Sequence, residues 1–489
     1  MKYYSTRNEK ETYTAAQAMT MGLAPDGGLF VPEKIPTVSA GELNALCGMD
    51  YRARAVDIMR RYLEEFSVPE LEYFVQHAYA ENFDHPAVAP LRFTDDRTAF
   101  LELWHGPTCA FKDMALQMLP YLLTSSLKKT GESREVCILV ATSGDTGKAA
   151  LEGFADVPGT RIFVFYPSGG VSAIQRLQMV TQRGDNVGVC AVKGNFDDAQ
   201  TGVKQIFGDT AFAEELSRRG FFLSSANSIN WGRLLPQIVY YFSAYCDYVN
   251  SGKIAAGDEI VFCVPTGNFG NILAGWFARQ MGLPVKRFVC ASNANDVLTE
   301  FIRTGVYNKN RPFHLTISPS MDILVSSNLE RLLYMLCGDK KTGEFMSRLS
   351  REGCYDVGGE TREKIDEQFY AACCDDDATR ERIRKVWKEN GYLIDTHTAV
   401  AADAIDAYRA QTGDRTPAVV VSTASPFKFA ADVCAALGAE VGEDPLAALS
   451  AFCGIPTPAP LSGLESRPVR FDGVTEKTDM RATVDGFLR

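Results

Sequence analysis

The sequence predicts an α/β protein with two domains built on parallel β-sheets and a mixed α/β domain at the N-terminus. From residue 136 onward, short apolar runs alternate with segments of helical periodicity, the pattern of a parallel sheet covered by helices. Loops rich in glycine and hydroxyl side chains follow several of these runs, at the edge of a sheet where ligands bind. A chain of 489 residues is also too long for a single core.

Residues 1–90 are predicted to form the N-terminal domain. Within them, helical patterns recur near residues 14–22, 40–47, 51–66 and 69–80. The two prolines of segment 85–90 mark a linker. The strand-like run 98–104 follows that linker and begins the next domain.

Residues 131–249 are predicted to form a small α/β domain. Strands and helices alternate in this segment: strands 136–141, 161–166, 187–192 and 221–224, and helices 146–155, 171–183, 197–208 and 231–249. A large domain is predicted to combine residues 91–130 with residues 250–489. Residues 329–390 of this domain are rich in Glu, Arg and Lys, so we expect a solvated helical insertion there. The chain after residue 456 is expected to be a linker or a tail on the surface.

The composition is that of an ordinary soluble globular enzyme, with 46% hydrophobic and 23% charged residues. A net charge of −11 argues against nucleic acid and anionic membranes as partners. The chain contains neither an apolar run of 18 residues nor a signal-peptide core. The thirteen cysteines are scattered without a C-x-x-C pair, and the adjacent Cys373 and Cys374 lie in a stretch predicted to be helical. We therefore expect reduced thiols, a cytoplasmic location and no metal site.

Segment 105–113 (HGPTCAFKD) places one lysine, Lys112, at a junction between a turn and a helix. Gly106 and Pro107 interrupt the preceding strand, and Thr108 is predicted to be the helix N-cap. The positive end of the helix disfavours an ammonium group, and apolar neighbours would lower the lysine pKa further. Such a lysine suits Schiff-base chemistry. The alternative is a lysine that extends from a helix start into solvent.

The loop 266–271 (TGNFGN) joins the apolar strand 259–264 to the helical segment 271–281. Its two glycines allow backbone N–H groups to approach an anion closely, and the helix N-terminus favours the same charge. The loop contains no lysine, which fits a phosphate that is held rather than transferred. An ordinary strand-to-helix turn is the alternative.

The loop 143–147 (SGDTG) follows strand 136–141 and offers hydroxyl and N–H groups at a helix N-terminus. These groups are suited to a carboxylate. Two residues, not four, separate the glycines, and Ala149 stands where a P-loop needs Ser or Thr. A nucleotide-hydrolysing P-loop is therefore rejected.

Hydroxyl side chains also end the apolar run 418–422. Ser422 and Thr423 lie at the carboxyl end of this predicted strand, where a hydroxyl could face a heterocyclic nitrogen without forcing a charge on it. Ser425 could instead cap a helix that has Pro426 at its first position. The two interpretations use different residues and are compatible.

Together the motifs resemble those of the threonine synthases. Nine of them occur in the order of that family: YYSTR (3–7), APDGGLFVP (24–32), HGPTCAFKD (105–113), SGDTG (143–147), SANSIN (225–230), TGNFGN (266–271), SPSMDILVSSN (318–328), DTHTAV (395–400) and STASPFKF (422–429). The resemblance runs from residue 3 to about residue 435. It is to the longer branch, which has an extra N-terminal domain, within the fold-type II pyridoxal-phosphate enzymes. It implies two doubly wound parallel-sheet domains of the tryptophan synthase β-like kind.

Two motifs depart from the family pattern. Many members have Ala-His-Pro where this chain has Ala424-Ser425-Pro426, and Asp-Pro-His where it has Asp395-Thr396-His397. Both changes flank the expected site and leave the cofactor contacts in place. They put a catalytic role for a histidine in the last motif in doubt.

The resemblance implies a pyridoxal-phosphate-dependent carbon–oxygen lyase that performs the last step of threonine biosynthesis. It would convert O-phospho-L-homoserine and water to L-threonine and phosphate by γ-elimination and β-addition of water. Lys112 would bind the cofactor as a Schiff base and act as the catalytic base, and Thr423 would face the pyridine nitrogen. The cofactor phosphate would be held by the loop residues Gly267, Asn268, Phe269, Gly270 and Asn271.

The substrate has two charged ends, and the resemblance places them apart. Its carboxylate is expected on the SGDTG loop, at Ser143, Gly144, Asp145 and Thr146. Its phosphate needs cations, for which Lys148, Arg176 and Arg233 are the candidates, with Asn227 and Ser228 as polar partners. Exposed salt bridging is the alternative role for both arginines.

Two other functions are compatible with parts of this pattern. A serine or threonine dehydratase, or a β-replacing synthase, would keep the lysine and the glycine-rich loop but needs no pocket for a substrate phosphate. A non-enzymatic relative would bind the cofactor or a phosphorylated ligand and act by protein contact. The intact Lys112, TGNFGN loop and Thr423 argue against lost chemistry. We expect a monomer or a small homo-oligomer.

Overall fold

The computed structural model describes residues 1–489, apart from the side chain of Asp197. The strands, numbered along the chain, are β1 (Tyr3–Ser5), β2 (Asn8–Tyr13), β3 (Phe30–Pro32), β4 (Leu91–Phe93), β5 (Thr98–Glu102), β6 (Glu135–Ala141), β7 (Thr160–Pro167), β8 (Val187–Val192), β9 (Phe221–Ser224), β10 (Ile260–Pro265), β11 (Val285–Ser292), β12 (Val306–Asn308), β13 (Cys354–Asp356), β14 (Phe369–Cys373), β15 (Ala418–Ser422) and β16 (Val474–Thr475).

The helices are α1 (Ala15–Met21), α2 (Ala40–Cys47), α3 (Tyr51–Arg60), α4 (Val68–Ala78), α5 (Asp113–Leu116), α6 (Leu119–Thr130), α7 (Asp145–Phe154), α8 (Ala173–Val180), α9 (Phe196–Gly208), α10 (Thr210–Arg218), α11 (Trp231–Asn250), α12 (Gly270–Gln280), α13 (Val297–Thr304), α14 (Leu329–Arg351), α15 (Gly359–Asp366), α16 (Asp376–Asn390), α17 (Thr396–Thr412), α18 (Ala430–Leu437), α19 (Pro445–Cys453) and α20 (Met480–Phe487). Short 3-10 helices lie at Pro319–Met321, Pro426–Phe429, Leu464–Ser466 and Lys477–Asp479. In the described part of the chain, no helix is both long enough and apolar enough to cross a membrane.

The large domain is built on a six-stranded sheet in the order β14–β11–β10–β15–β5–β4. Its strands are parallel except β4, which pairs antiparallel with β5. Every residue of β10 and β15 is buried, as expected for a sheet with helices on both faces. The loops after β5, β10 and β15 therefore meet at one edge of this sheet, and these loops contain three of the sequence motifs.

The small domain is built on a parallel sheet in the order β16–β8–β7–β6–β9. The SGDTG loop follows its strand β6. The edge strand β16 comes from the C-terminal tail, and α20 packs on α9 of the same domain. This corrects the predicted division of the chain, because part of the segment 250–489 belongs to the small sheet. A two-residue strand has too little apolar periodicity to be recognised in a sequence.

The predicted helical insertion 329–390 also needs correction. It contains helices α14, α15 and α16, but β14 lies between the last two and forms the edge strand of the large sheet. Cys373 ends this strand and is not helical. The run FYAAC has the aromatic and apolar residues of a strand, but the charged helices on both sides concealed it.

The N-terminal domain combines an antiparallel sheet, β2–β1–β3, with helices α1 to α4. It packs on the long buried helix α11, whose contacts include α2 and α3. The N-cap residue of α11, Asn230, donates to the carbonyl of Met19 at 3.0 Å. The N-terminal domain thus fixes the place where α11 begins, and the SANSIN motif ends at that point.

Candidate active site

Lys112 is buried where the two larger domains meet. Its Nζ lies 3.5 Å from a carboxylate oxygen of Asp145 and 4.8 Å from the ring centre of Phe111. Burial lowers the pKa of the Lys112 ammonium, and the charges of Lys428 and Arg233 add to that effect, whereas Asp145 opposes it. Lys112 therefore loses its proton more readily than an exposed lysine does, and the resulting neutral amine is a base and a nucleophile.

The local structure before Lys112 differs from the prediction in one respect. Thr108 does not cap a helix; its N–H and hydroxyl donate to Asp113 at 2.8 and 2.7 Å. The helix α5 begins only at Asp113 and has four residues, with Lys112 at its cap position. Such a short helix has a weak dipole, so burial is the main cause of the lowered pKa at Lys112.

Asp145 lies between two lysines. Its Oδ1 accepts from Lys428 Nζ at 2.8 Å and from Gln175 Nε2 at 2.9 Å, and its Oδ2 faces Lys112. Burial would raise the pKa of Asp145, but the ammonium groups of Lys428 and Lys112 outweigh burial and hold it well below its usual range. Asp145 is therefore a carboxylate beside the amine of Lys112.

The TGNFGN loop offers a set of donors to one anion. The backbone N–H groups of Asn268, Phe269 and Gly270 donate to no acceptor among the described residues. The side chain of Asn271 is buried, and its Oδ1 accepts from the hydroxyls of Tyr240 and Tyr241 at 2.6 and 2.7 Å. Within the described part of the chain, its Nδ2 is a buried donor without an acceptor. These unpaired donors fit a phosphate group.

A second loop holds the TGNFGN loop from behind. Ser326 Oγ donates to the carbonyl of Gly267 at 2.7 Å, and Asn328 Nδ2 donates to that of Asn268 at 3.0 Å. A Cβ atom at Gly267 would lie 2.7 Å from the carbonyl oxygen of Ser320. Only glycine therefore fits at position 267. The side chain of Phe269 is buried, and its residue adopts a left-handed φ of 61° at the start of α12.

His397 positions Ser320. Its Nε2 accepts from the N–H of Ser320 at 3.1 Å, so its Nδ1 carries the proton that it shares with Asp395 at 2.7 Å. Both residues are buried. His397 of the DTHTAV motif therefore acts on the loop geometry and not as a proton donor in the site.

Thr423 lies next to the Lys112 loop. Its carbonyl accepts from the N–H of Phe111 at 2.8 Å, and Ala110 and Ala424 form an isolated β-bridge. The Thr423 hydroxyl bonds to no described residue. The neighbouring Ser422 hydroxyl, in contrast, accepts from Trp104 Nε1 at 3.0 Å. Thr423 is thus the hydroxyl of this pair that remains for a ligand.

The SGDTG loop is closed by the residue that precedes it. Thr142 Oγ1 accepts from the N–H groups of Gly144 and Gly147, both at 2.9 Å. In the described part of the chain, the N–H groups of Ser143 and Thr146 make no hydrogen bond. These two residues are half-buried, so their hydroxyl and N–H groups are the ones suited to a carboxylate.

Arg233 is buried in the first turn of α11, with 3% of its surface exposed. Its Nη1 donates to the carbonyl of Ala226 at 3.0 Å, and no described carboxylate pairs with it. Its Nε has no acceptor among the described residues. Burial lowers its pKa to about 10. A buried cation without an anion is costly, and this one lies close enough to Lys112 to lower the lysine pKa.

The other predicted phosphate ligands are placed differently. Lys148 donates to Glu152 at 2.6 Å and to the side chain of Gln182, so its ammonium is already paired. Arg176 is exposed on α8 beside Tyr166. Asn227 is half-buried in the SANSIN loop. The structure brings Lys112, Asp145, the TGNFGN loop, Thr423 and Arg233 together, whereas Lys148 is paired with Glu152 and Arg176 is exposed.

Several residues of the site were not predicted from the sequence. They are Lys428, Gln175, Ser320, Ser326, Asn328, Tyr240 and Tyr241. Lys428 had a recognisable signal, because it is the one charge in the apolar run of residues 424–431. Gln175 on α8, and Tyr240 and Tyr241 in the middle of α11, lie outside the motifs, and only the folded chain brings them to the site.

Three family models match the chain. The model described as "Threonine synthase N terminus" matches residues 2–79, "Pyridoxal-phosphate dependent enzyme" matches residues 98–424, and "Threonine synthase, C-terminal" matches residues 398–484. Together they cover the N-terminal domain, both sheets of the site and the C-terminal tail.

Relatives of known structure or description agree with these models. "Threonine synthase-like 1" of Homo sapiens is 41% identical over 86% of this chain and 58% of its own length. The "Threonine synthase" of Pseudomonas aeruginosa is 40% identical over 88% of this chain and 89% of that protein. The crystal structure of PLP-bound threonine synthase from Brucella melitensis superposes with a TM-score of 0.88 at 37% identity and covers 100% of both chains. The chain thus spans about three fifths of the length of the human relative.

Proposed function

This chain belongs to the threonine synthase family of pyridoxal-phosphate-dependent enzymes, and from that premise we propose that it converts O-phospho-L-homoserine and water to L-threonine and phosphate. In this reaction the Cγ–O bond breaks and phosphate leaves with the electron pair. Cβ loses one proton, Cγ gains one and becomes the methyl group, and the hydroxyl of water adds at Cβ while the remaining water proton goes to the released phosphate. The Cα proton is removed and later returned.

The site residues fit the cofactor. The unpaired N–H groups of the TGNFGN loop and Asn271 Nδ2 would hold its phosphate. The hydroxyl of Thr423 would face the pyridine nitrogen, which it can contact without adding a charge. When bound, pyridoxal phosphate supplies an electron sink that stabilises negative charge on the substrate carbons.

Lys112 is the residue that would bind the cofactor covalently and move protons at the substrate carbons. Burial favours its neutral amine, which can take a proton and later return it. Asp145 Oδ2 lies 3.5 Å from this amine and can orient it. His105 is not suited to the role of a second base, because both of its ring nitrogens are occupied by Asp84 and Glu102.

The observation that carries the choice of substrate is the unpaired guanidinium of Arg233. A buried cation that faces no carboxylate among the described residues is a ready partner for a dianionic phosphate. A serine or threonine dehydratase acts on a substrate without a phosphate and needs no such cation. The hydroxyl and N–H groups of Ser143 and Thr146 would bind the substrate carboxylate.

The proposal is tested by incubating the purified holoenzyme with O-phospho-L-homoserine and measuring phosphate and L-threonine together. We expect equal amounts of the two products, and none from Lys112→Ala, because the neighbouring amine of Lys428 is held by Asp145 and by the carbonyl of Thr108. Phosphate release without threonine, or turnover of serine or threonine to a keto acid instead, would overturn the proposal.

Arg233 is tested separately by Arg233→Met. We expect the KM for O-phospho-L-homoserine to rise about 100-fold, since a charge-assisted contact contributes roughly 2–3 kcal/mol, while the cofactor absorbance is unchanged. Inhibition by free phosphate should weaken in parallel. Arg176→Met is the matched control, because its guanidinium is exposed, and it should leave both constants close to those of the wild type.

We also propose that the enzyme works in the cytoplasm as a monomer or a small homo-oligomer. The cysteines of the described chain are all free thiols, as in a reducing compartment. The net charge of −11 supports the expectation that nucleic acid is not a partner. Sedimentation of the purified chain gives its oligomeric state.

A further inference from the structure

Lys428 is fully buried beside the site, and the proposed reaction does not use it. It lies in the 3-10 helix Pro426–Phe429, with 0% of its surface exposed. Its Nζ donates to the carbonyl of Thr108 at 2.9 Å and pairs with Asp145 Oδ1 at 2.8 Å. Lys428 therefore joins the loop before Lys112 to the SGDTG loop of the small domain.

Asp145 connects Lys428 to Lys112. One of its oxygens is held by Lys428 and Gln175, and the other faces Lys112 at 3.5 Å, with Ser320 Oγ at 3.4 Å. A buried carboxylate that had only Lys112 as its counterion would hold that lysine as an ammonium. An ammonium can neither attack a carbonyl nor accept a proton.

We propose that Lys428 is a positioning residue that neutralises and orients Asp145, so that Asp145 directs the amine of Lys112 without holding a proton on it. The charged groups that face Lys112 are Asp145 from α7, Lys428 from the 3-10 helix and Arg233 from α11. With Lys428 present, the fixed charges around Lys112 are two positive and one negative, which favours the neutral amine. The inference rests on the proposed function in that it takes Lys112 as the reacting amine.

The test is the acidity of Lys112 in the full-length chain. The cofactor is removed, the chain is acetylated with limiting acetic anhydride over a range of pH, and the modified fraction of Lys112 is measured by mass spectrometry. We expect Lys428→Met to move the midpoint of Lys112 labelling up by about one pH unit or more, a tenfold loss of neutral amine at a given pH. An unchanged or lowered midpoint overturns the proposal.

Two variants make this result specific. Lys428→Arg keeps the positive charge and should return the midpoint close to that of the wild type. Lys148→Met removes another buried ammonium with a carboxylate partner on α7, and it should not move the midpoint; equal shifts in both Met variants would overturn the proposal. If Lys428→Met does not fold by circular dichroism, Lys428→Gln, which retains a donor for Thr108, is measured instead.

The holoenzyme provides a second measurement. In the free holoenzyme Lys112 would be bound to the cofactor, so the pH profile of kcat, which reports the enzyme–substrate complex, is the one that reflects its amine. If Lys428 keeps Lys112 neutral, the acid limb of the kcat profile should move to higher pH in Lys428→Met, in the same direction as the labelling midpoint. A lower kcat with an unmoved acid limb would indicate a packing role only and would contradict the proposal. The labelling needs no substrate, so its outcome is distinct from a failure of the proposed reaction.

Discussion

The loops that follow β6 and β10 both come after an inner parallel strand of their sheet, but they differ in charge. The SGDTG loop carries a buried carboxylate, Asp145, and is held by Thr142, the residue immediately before it. The TGNFGN loop has no charged side chain and is held from outside by Ser326 and Asn328. Each loop follows a buried parallel strand and opens a helix.

The difference shows how one motif pattern serves two purposes. In the TGNFGN loop, support from outside leaves the N–H groups free for one anion, and no nearby acid repels it. In the SGDTG loop, Thr142 uses two of the N–H groups, and Asp145 introduces a negative charge that Lys428 has to balance. The first loop is suited to a permanently bound phosphate. The second is suited to the reacting end of the substrate, where an amine and a carboxylate meet.

Among these variants, we expect the largest loss of cofactor affinity from Gly267→Ala in the TGNFGN loop. The new Cβ would lie 2.7 Å from the carbonyl of Ser320, which is backbone and cannot move aside. Overpacking of this kind costs about 3 kcal/mol, so we expect the Kd for pyridoxal phosphate to rise about 100-fold, measured by absorbance titration. Gly270→Ala is the control, since its Cβ would meet its nearest atom at 3.4 Å. Equal affinities in the two variants would show that the loop does not hold the cofactor.

A somewhat smaller effect is expected from Thr142→Val in the other loop. It leaves the buried N–H groups of Gly144 and Gly147 without an acceptor, at a cost of about 2 kcal/mol. We expect the KM for O-phospho-L-homoserine to rise roughly 30-fold and the cofactor Kd to stay unchanged. Thr142→Ser keeps the hydroxyl and should behave as the wild type. If the cofactor Kd rose as much as the KM, the SGDTG loop would also bind the cofactor, which would contradict the separate roles of the two loops.

The sequence predicted both loops because strand, glycine-rich turn and helix are contiguous in each. Their contrast was not predictable, since it depends on partners far away in the chain. Ser326 and Asn328 reach the TGNFGN loop from some 60 residues away. Lys428 reaches Asp145 across 283 positions. Spacing rules describe local structure and contain no information on which distant side chain pairs with a loop.

The same limit explains the corrections to the fold. The parallel strands β6, β7, β10 and β15 were predictable because each is an apolar run bounded by turns. The strands β14 and β16 were missed: one is flanked by charged helices and the other has two residues. Both lie at the edge of a sheet, where the requirement for apolar residues is weakest. The inner strand β11 was not predicted either, although its last five residues are buried.

A smaller rise in the cofactor Kd is expected from Thr423→Val, which tests the proposed contact with the pyridine nitrogen. Valine keeps the volume of threonine but removes the hydroxyl, which bonds to no described residue. If it faces the pyridine nitrogen, the loss is about 1–2 kcal/mol, a roughly 10-fold rise in cofactor Kd. The Kd is obtained by titration of the cofactor-free protein, with Thr423→Ser as the control. An unchanged Kd in Thr423→Val would contradict the contact.

An effect of similar size concerns pH and is expected at His105, in the segment that leads to Lys112. Burial lowers the pKa of His105, but the carboxylates of Asp84 and Glu102 outweigh burial and raise it to about 9. Because this folded-state value lies above the ordinary value of about 6.5, the stability that His105 contributes is complete below about pH 6.5 and is lost as the pH rises through about 9. Asp84 is half-exposed, so screening reduces this contribution to about 1–2 kcal/mol.

We therefore expect the wild-type free energy of unfolding, from urea titrations, to fall by about 1–2 kcal/mol more than that of His105→Gln between pH 7 and 10. The TGNFGN loop contains no ionisable side chain, so Gly270→Ala should follow the wild-type curve at a constant offset. A parallel curve for His105→Gln would mean that its two carboxylate partners do not hold the proton. The charged groups that set the pH response of the site would then be Lys112, Asp145 and Lys428, without His105.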